Sequence, residues 1–388
     1  MKSIRDIYKV GFGPSSSHTI APAKFAQFLL ERYQGKVTKL VLFNSFQTTG
    51  NGHLTFDTLK KILTNIQIQT LIDKKKHPLH MEAYIQEQLV EEADSIGGGN
   101  LHIYSQEVKE LVDVYPHKKF TDIINYCQNN SLSLLEYIDR FEPDLNSFLT
   151  KIFKRMVNVV EVGLKQTGYL PGSLKVSRKA KSVYEQAQKS KDKRLYISAY
   201  ALAVSEENAN GQIIVTAPTC GSCGVVPAIL YYSKYHQHTP IKEIINALKV
   251  AGLIANLVAS NGTLSGAIGG CQVEIGTAIA MASSAYAYLQ GNNIAEIESA
   301  AELAIEHHLG LTCDPIKGYV QIPCIERNAI GALRALDNTQ LGKALLENHL
   351  ISLDTAIASM YQTGLDIKEK YKETSRGGLA KYYQEKNK

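Results

Sequence analysis

The chain has 388 residues, 44 % hydrophobic and 20 % charged, with 28 Gly and 11 Pro. That is the composition of a folded globular protein; it excludes long disorder and, at roughly 150 residues per domain, points to about two domains. Lys plus Arg number 42 against 37 Asp plus Glu, a net charge of +5 carried by mixed rather than blocked residues, so no nucleic-acid partner is expected.

In chain order, Gly13-Pro-Ser-Ser-Ser-His-Thr-Ile-Ala-Pro22 is a loop rich in glycine, proline and hydroxyls that runs into an apolar helical pattern over 23–30. β-Branched and aliphatic runs predict strands over 36–43 and 100–104, with a helix over 59–72 between them. From 128 to 146 the sequence turns polar, and Asn129-Asn130-Ser131 reads as a loop and helix N-cap. This places a domain boundary there. The expectation is an α+β protein: a small N-terminal domain, 1–128, resembling an α/β sandwich, then a larger all-α helical catalytic domain, 129–388. Helices are predicted over 148–167, 182–209, 240–260, 276–289, 295–309, 328–337 and 344–372. Small residues between 251 and 287 permit close helix approach. The tail from 367 to 388, with seven basic and three acidic residues, reads as a solvated end. The most apolar window, 275–289, is shorter than the ~20 residues that span a bilayer, and no apolar run follows Met1. Neither a membrane segment nor a secretory signal is expected, which places the chain in the cytoplasm.

Six cysteines in a reducing compartment are thiols or metal ligands rather than disulfides. Only Cys127 lies in the first half. The pair Cys220-Gly-Ser-Cys223 has the spacing of redox or metal sites, with His236 and His238 as poorly spaced partners for zinc; a structural loop with buried thiols is the plainer alternative. Cys271, Cys313 and Cys324 sit in Gly270-Cys-Gln-Val-Glu274, Leu311-Thr-Cys-Asp-Pro315 and Ile322-Pro-Cys-Ile-Glu-Arg-Asn328. Three thiolates from separated segments can hold three irons of a four-iron cluster and leave the fourth open to substrate; three ordinary buried cysteines are the alternative. The 13–22 loop offers backbone amides and hydroxyls of the kind that bind carboxylates at a helix start, with His18 beside the bound anion. Thr48-Thr-Gly-Asn-Gly-His-Leu-Thr55, which contains Gly50 and His53, and Ser95-Ile-Gly-Gly-Gly99 are further glycine turns that suggest a shared edge.

Taken together, Gly13 to Thr19, Thr49-Gly-Asn-Gly-His53, Ser95 to Gly99, Leu170-Pro-Gly-Ser-Leu-Lys-Val176, Glu206-Glu-Asn-Ala209, Thr216 to Pro227 and the three cysteine motifs resemble the iron-sulfur-dependent L-serine dehydratases of bacteria, in their single-chain form. The resemblance spans most of the chain. It implies conversion of L-serine to pyruvate and ammonia on a 4Fe-4S cluster ligated by Cys271, Cys313 and Cys324, in a homodimer. Substrate contacts are expected from Ser15, Ser16, Ser17, Thr19, Gly50, Gly98 and Thr219. His18 or His53 would remove the α-proton, with His18 preferred, while the open iron takes the hydroxyl. The sequence departs from the family at Ile20-Ala-Pro22, where Gly commonly precedes Pro, and at Cys220 and Cys223, where many members carry Asn and Ala. It also has no tail cysteine to reach back to the cluster. Competing readings are a related lyase for L-cysteine or L-threonine, a pyridoxal-phosphate dehydratase using Lys175, and a cluster- or zinc-bearing redox sensor without turnover.

Overall fold

The computed structural model describes residues 1–50, 52–107 and 112–383. The chain begins inside the helical part of the molecule. Ile4, Ile7 and Tyr8 are buried there, and the Tyr8 hydroxyl donates to the Leu248 carbonyl at 2.8 Å. β1 (Val10–Phe12) leads out, and one π-helical turn over Ser16–Ile20 runs directly into α1 (Ala21–Tyr33). Pro22 is tolerated in that first turn because the amide it lacks has no partner within the helix.

The smaller core is a five-stranded sheet under three helices. Strand order is β3-β2-β4-β5-β6, from β2 (Lys39–Phe43), β3 (Gln67–Leu71), β4 (His80–Ile85), β5 (Gln88–Ser95) and β6 (Leu101–Ile103). β2 and β3 are parallel with Leu40 opposite Ile68, and the other pairs are antiparallel, with Leu42 opposite Met81 and Ser95 opposite Leu101. Because side chains alternate along a strand, Leu40, Leu42, Met81 and Ala83 share one face. Phe25 and Leu29 of α1, Phe46 of α2 (Ser45–Thr49) and Leu59 of α3 (Thr55–Ile62) are buried with them in a single cluster. The helix expected over 59–72 ends at Ile62. Asn65 takes a left-handed φ of 64°, and Gln67–Leu71 alternates exposed and half-buried residues, the period of a strand, so β2 recruits it into the sheet.

The larger core holds α4 (Phe120–Asn129), α5 (Leu134–Phe141), α6 (Leu145–Gly163), α7 (Ala180–Ser190), α8 (Lys193–Ala209), α9 (Val225–Tyr235) and α10 (Ile241–Asn261). After these come α11 (Gly266–Gly269), α12 (Thr277–Leu289), α13 (Ile294–Glu306), α14 (Cys324–Ala344), α15 (Leu353–Asp366) and α16 (Gly378–Tyr382). α8, α10 and α12 are buried on nearly all sides, which is why they carry little amphipathic pattern. α10 is long and apolar enough to cross a membrane, yet 83 % of its apolar window is buried within the protein.

Several expectations are corrected by local chemistry. The continuous helix expected over 182–209 is two, because Lys191 is left-handed and the Asp192 side chain caps α8 by accepting from the Arg194 amide at 2.7 Å. Ser133 starts α5 rather than Ser131, through a reciprocal capping box with Glu136. Only Leu353–Asp366 of the helix expected over 344–372 is a long helix. The helical part is not strictly all-α: β7 (Ile213–Val215) pairs antiparallel with β1, Val10 opposite Val215. Packing also divides the chain differently from an even cut at 128, since Met1 to Ile20 and Tyr115 to Cys127 contribute to the larger core and the smaller one runs from Phe25 to Ile103.

Candidate active site

Where the two cores meet, loops from both line a small cavity of about 40 Å³. The N-terminal side contributes Ser15, Ser16, Ser17, His53 and Gly98, and the helical side Thr219, Gly221, Ser265 and Gly266. Cys271, Glu274, Cys313, Cys324 and Glu373 complete the wall.

The serine loop is held from both directions. The Ser15 side chain caps the π-turn by accepting from the His18 amide at 3.2 Å, and the Thr19 and Ile20 amides donate to the Ser15 carbonyl. From the helical side, Asn208 Nδ2 at the end of α8 donates to the Pro14 carbonyl at 3.2 Å, and the Cys220 amide donates to Ser16 Oγ at 3.0 Å. Gly97, Gly98 and Gly99 all have φ between 57° and 94°, a run of left-handed backbone that favours glycine. Their carbonyls are fastened by lysines: Lys9 Nζ to Gly98 at 2.6 Å and Lys24 Nζ to Gly99 at 2.8 Å.

Of the two histidines, His53 lines the cavity and His18 does not. His18 is buried behind it, ring centroids 4.5 Å apart, with Nε2 2.9 Å from Ser45 Oγ and Nδ1 3.2 Å from Ser17 Oγ. His53 Nδ1 is buried without a hydrogen-bond partner. Burial holds both rings neutral: it lowers His53 to about 4, and it lowers His18 well below the usual range, with the neighbouring His53 adding to the effect. Thr19 also lies off the cavity; its hydroxyl donates to the His53 carbonyl at 2.7 Å and so positions that residue. Gly50 is a packing glycine, where a Cβ would come within 2.5 Å of the Phe56 ring.

The cysteines arrive on three elements. Cys271 precedes the π-turn Gln272–Gly276 that enters α12, Cys313 lies in the loop after α13, and Cys324 opens α14. Asn328, one turn into α14, fixes the third: Nδ2 donates to the Cys324 and Gly221 carbonyls at 2.8 Å, while Oδ1 accepts from the Gly224 amide at 2.8 Å. A hydrogen bond from Cys313 pulls the Cys271 thiol down against burial, and the Arg327 guanidinium assists. Burial raises Cys324, and Cys313 is raised by its bond to Cys271 and by burial. Burial pushes the Glu373 carboxyl up to about 7 and lifts Glu274 well above the ordinary range, reinforced there by Glu373.

The three cysteine sulfurs are spaced for an iron-sulfur cluster rather than for one ion shared among them. All three sulfurs face one cavity, yet among the described residues they do not form one group with every ligand atom within 4.8 Å of the others, whereas Glu274, Cys313 and Glu373 do. Soft thiolates spaced around a cavity, beside a fixed guanidinium, suit a cluster in which each iron takes a different sulfur. A second group, His80, Glu82 and Glu92, lies on the small domain's sheet, where Lys76 Nζ already pairs with Glu82 and lies 3.8 Å from Glu92.

Residues 59–380 match the family described as Serine dehydratase alpha chain, and residues 3–95 match Serine dehydratase beta chain. The chain belongs to the single-chain L-serine dehydratase family. Among its relatives, "L-serine dehydratase" of Haemophilus influenzae is 35 % identical over 459 aligned positions, covering 98 % of this chain and 99 % of that one. "L-serine dehydratase" of Helicobacter pylori (strain 26695) is 37 % identical, with 98 % of each covered. "L-serine dehydratase 2" of Escherichia coli K12 is 34 % identical, again with 98 % of each covered. An alignment of 459 positions exceeds the 388 residues here, so that dehydratase carries residues this one lacks.

Features of the dehydratase site escaped the sequence reading. Glu274 and Arg327 stand three residues after Cys271 and Cys324, inside the cysteine motifs, so their signal was proximity. Glu373 had none, being set in the lysine-rich tail. Lys175 is exposed and lies outside the cavity, so it is no buried Schiff-base site. Cys220 and Cys223 are buried free thiols, with Cys220 pushed up to about 12 by burial. His236 is committed to the Tyr200 hydroxyl at 2.6 Å and stacks on Tyr232. Among the described residues no zinc-like group joins these histidines to the cysteine pair.

Proposed function

We propose that this chain dehydrates L-serine to pyruvate and ammonia, with Cys271, Cys313 and Cys324 holding a 4Fe-4S cluster. The observation that carries the reading is the meeting of three cysteines from separate segments with the Ser15–Ser17 loop in one cavity. When bound, such a cluster supplies a Lewis acid toward the substrate hydroxyl at the iron without a cysteine. The hydroxyls of Ser15, Ser16, Ser17 and Thr219 bind and orient the substrate carboxylate. His53 takes the α-proton on its neutral ring, where Nδ1 has no competing partner. His18 holds that ring in place from behind, anchored on Ser45. Burial of the cavity between the cores excludes bulk water from the proton transfer. The enamine product tautomerises and hydrolyses in water without a protein group. The same reading takes the working unit as a cytoplasmic homodimer acting on free L-serine, with neither nucleic acid nor membrane involved. Six unpaired cysteines suit that reducing compartment.

The test is pyruvate release from L-serine after anaerobic reconstitution with iron and sulfide, beside the same protein left in air, with iron counted in both. L-threonine and L-cysteine are run alongside. The expected result is activity only with about four irons per chain, highest on L-serine. Full loading with no product from any of the three amino acids overturns the reading.

A further inference from the structure

The tail expected to be a solvated end, 367–388, is folded across the active site over its described residues, 367–383; 384–388 lie outside the described residues. The Cys313 amide donates to the Tyr371 carbonyl at 2.7 Å, and the Glu373 amide returns a bond to the Cys313 carbonyl at 2.8 Å. Farther on, Ser375 Oγ donates to the Pro315 carbonyl at 2.7 Å and the Leu379 amide donates to the Asp314 carboxylate. The segment is therefore a strap sewn along the loop that carries the second cysteine. Glu373 and Ser375 take left-handed φ values of 58° and 56°, a conformation that non-glycine residues adopt at some cost. It turns the Glu373 side chain into the cavity.

There the Glu373 carboxylate, the Glu274 carboxylate and Cys313 Sγ lie within 4.8 Å of one another. The two acids are not equivalent. Glu274 is fixed on the π-turn that follows Cys271, whereas Glu373 arrives on the strap. The Glu373 carboxylate accepts no hydrogen bond and pairs with no cation among the described residues. Arg327, the guanidinium beside the cysteines, is directed elsewhere: Nη1 donates to the Thr312 carbonyl at 2.7 Å, and Nη2 lies 3.9 Å from Asp314.

We propose that Glu373, delivered by this strap, is the protein ligand of the iron that no cysteine holds. This rests on the cluster reading above. A carboxylate is a harder and weaker ligand for such an iron than a thiolate. It retains the metal between turnovers and exchanges readily for a substrate oxygen.

The experiment uses the reconstituted full chain. Wild type, Glu373→Gln, Glu373→Cys and the exposed strap control Glu369→Gln are treated with ferricyanide. Conversion from four-iron to three-iron cluster is followed by paramagnetic resonance. Loss of the unique iron should be about tenfold faster in Glu373→Gln, unchanged in Glu369→Gln, and at least as slow as wild type in Glu373→Cys, which restores a ligand. Equal rates in wild type, Glu373→Gln and Glu373→Cys overturn the assignment alone, as does faster iron loss from Glu373→Cys than from wild type. A wild-type chain that takes up no iron overturns the cluster reading, and this assignment with it.

Discussion

In the proposed mechanism His53 is a base made by its surroundings: burial keeps the ring neutral and leaves Nδ1 without a partner. Replacing it by Ala should lower kcat roughly 100- to 10,000-fold while iron content and helical circular dichroism stay as in wild type; pyruvate release checks the first and metal analysis the second. The pH dependence of stability has a definite sign. The unfolded histidine binds a proton near 6.5 and the folded one only near 4, so its stabilising contribution is present above 6.5 and is lost as pH falls through 4, on the order of 3 kcal/mol in all. Glu373 acts oppositely, since its folded carboxyl titrates near 7 rather than 4.5. The histidine contribution therefore shows as the difference between wild type and His53→Gln, in urea unfolding at pH 7 and pH 4.5. Which histidine faces the cavity was not legible from sequence. Both sit in polar glycine-containing loops, and the choice is made by Ser45 and Phe46, which hold His18 back.

Among the elements, α14 does two jobs through Asn328, carrying Cys324 and clamping the Gly221–Gly224 loop. Asn328→Ala leaves the buried Gly224 amide without its acceptor and should cost roughly 2 kcal/mol in urea unfolding, with weaker substrate affinity because Thr219 sits on the same loop. Behind α8, Arg178 pairs with Glu207 at 2.6 Å with both side chains 5 % exposed. Glu207→Ala strands a buried guanidinium and should cost about 3–5 kcal/mol, seen as a lowered Tm. Helices with sustained apolar periodicity, such as α6 and α13, were legible because their pattern repeats over several turns. β3 was not, because Gln67–Leu71 carries few apolar residues and gains strand geometry from β2. Nor was α9, whose Val225-Val-Pro-Ala-Ile229 start carries a proline and β-branched residues that do not announce a helix. The cysteine segments stood out by their Gly and Pro flanks. Glu373 was hidden by the charge around it, since only tertiary folding of the strap separates it from its solvated neighbours.

The whole molecule has two apolar cores with the active-site cavity between them, so the site depends on their docking. Among the described residues, the bonds that span that seam include those of Asn208, Cys220 and Lys9 to loops of the small domain. Loss of activity should accordingly precede loss of helical signal along a urea titration; coincident curves would show instead that the cores open only together. The first dozen residues carry a consequence for how the protein is made. Val10 finds its partner Val215 on a strand about two hundred residues downstream, and Tyr8 finds Leu248 later still. While the ribosome is still working, the small domain can close on itself, but the apolar segment that precedes it has nothing to bind. A nascent chain halted before β7 therefore displays Ile4, Ile7 and Tyr8 to solvent as a ready target for chaperones.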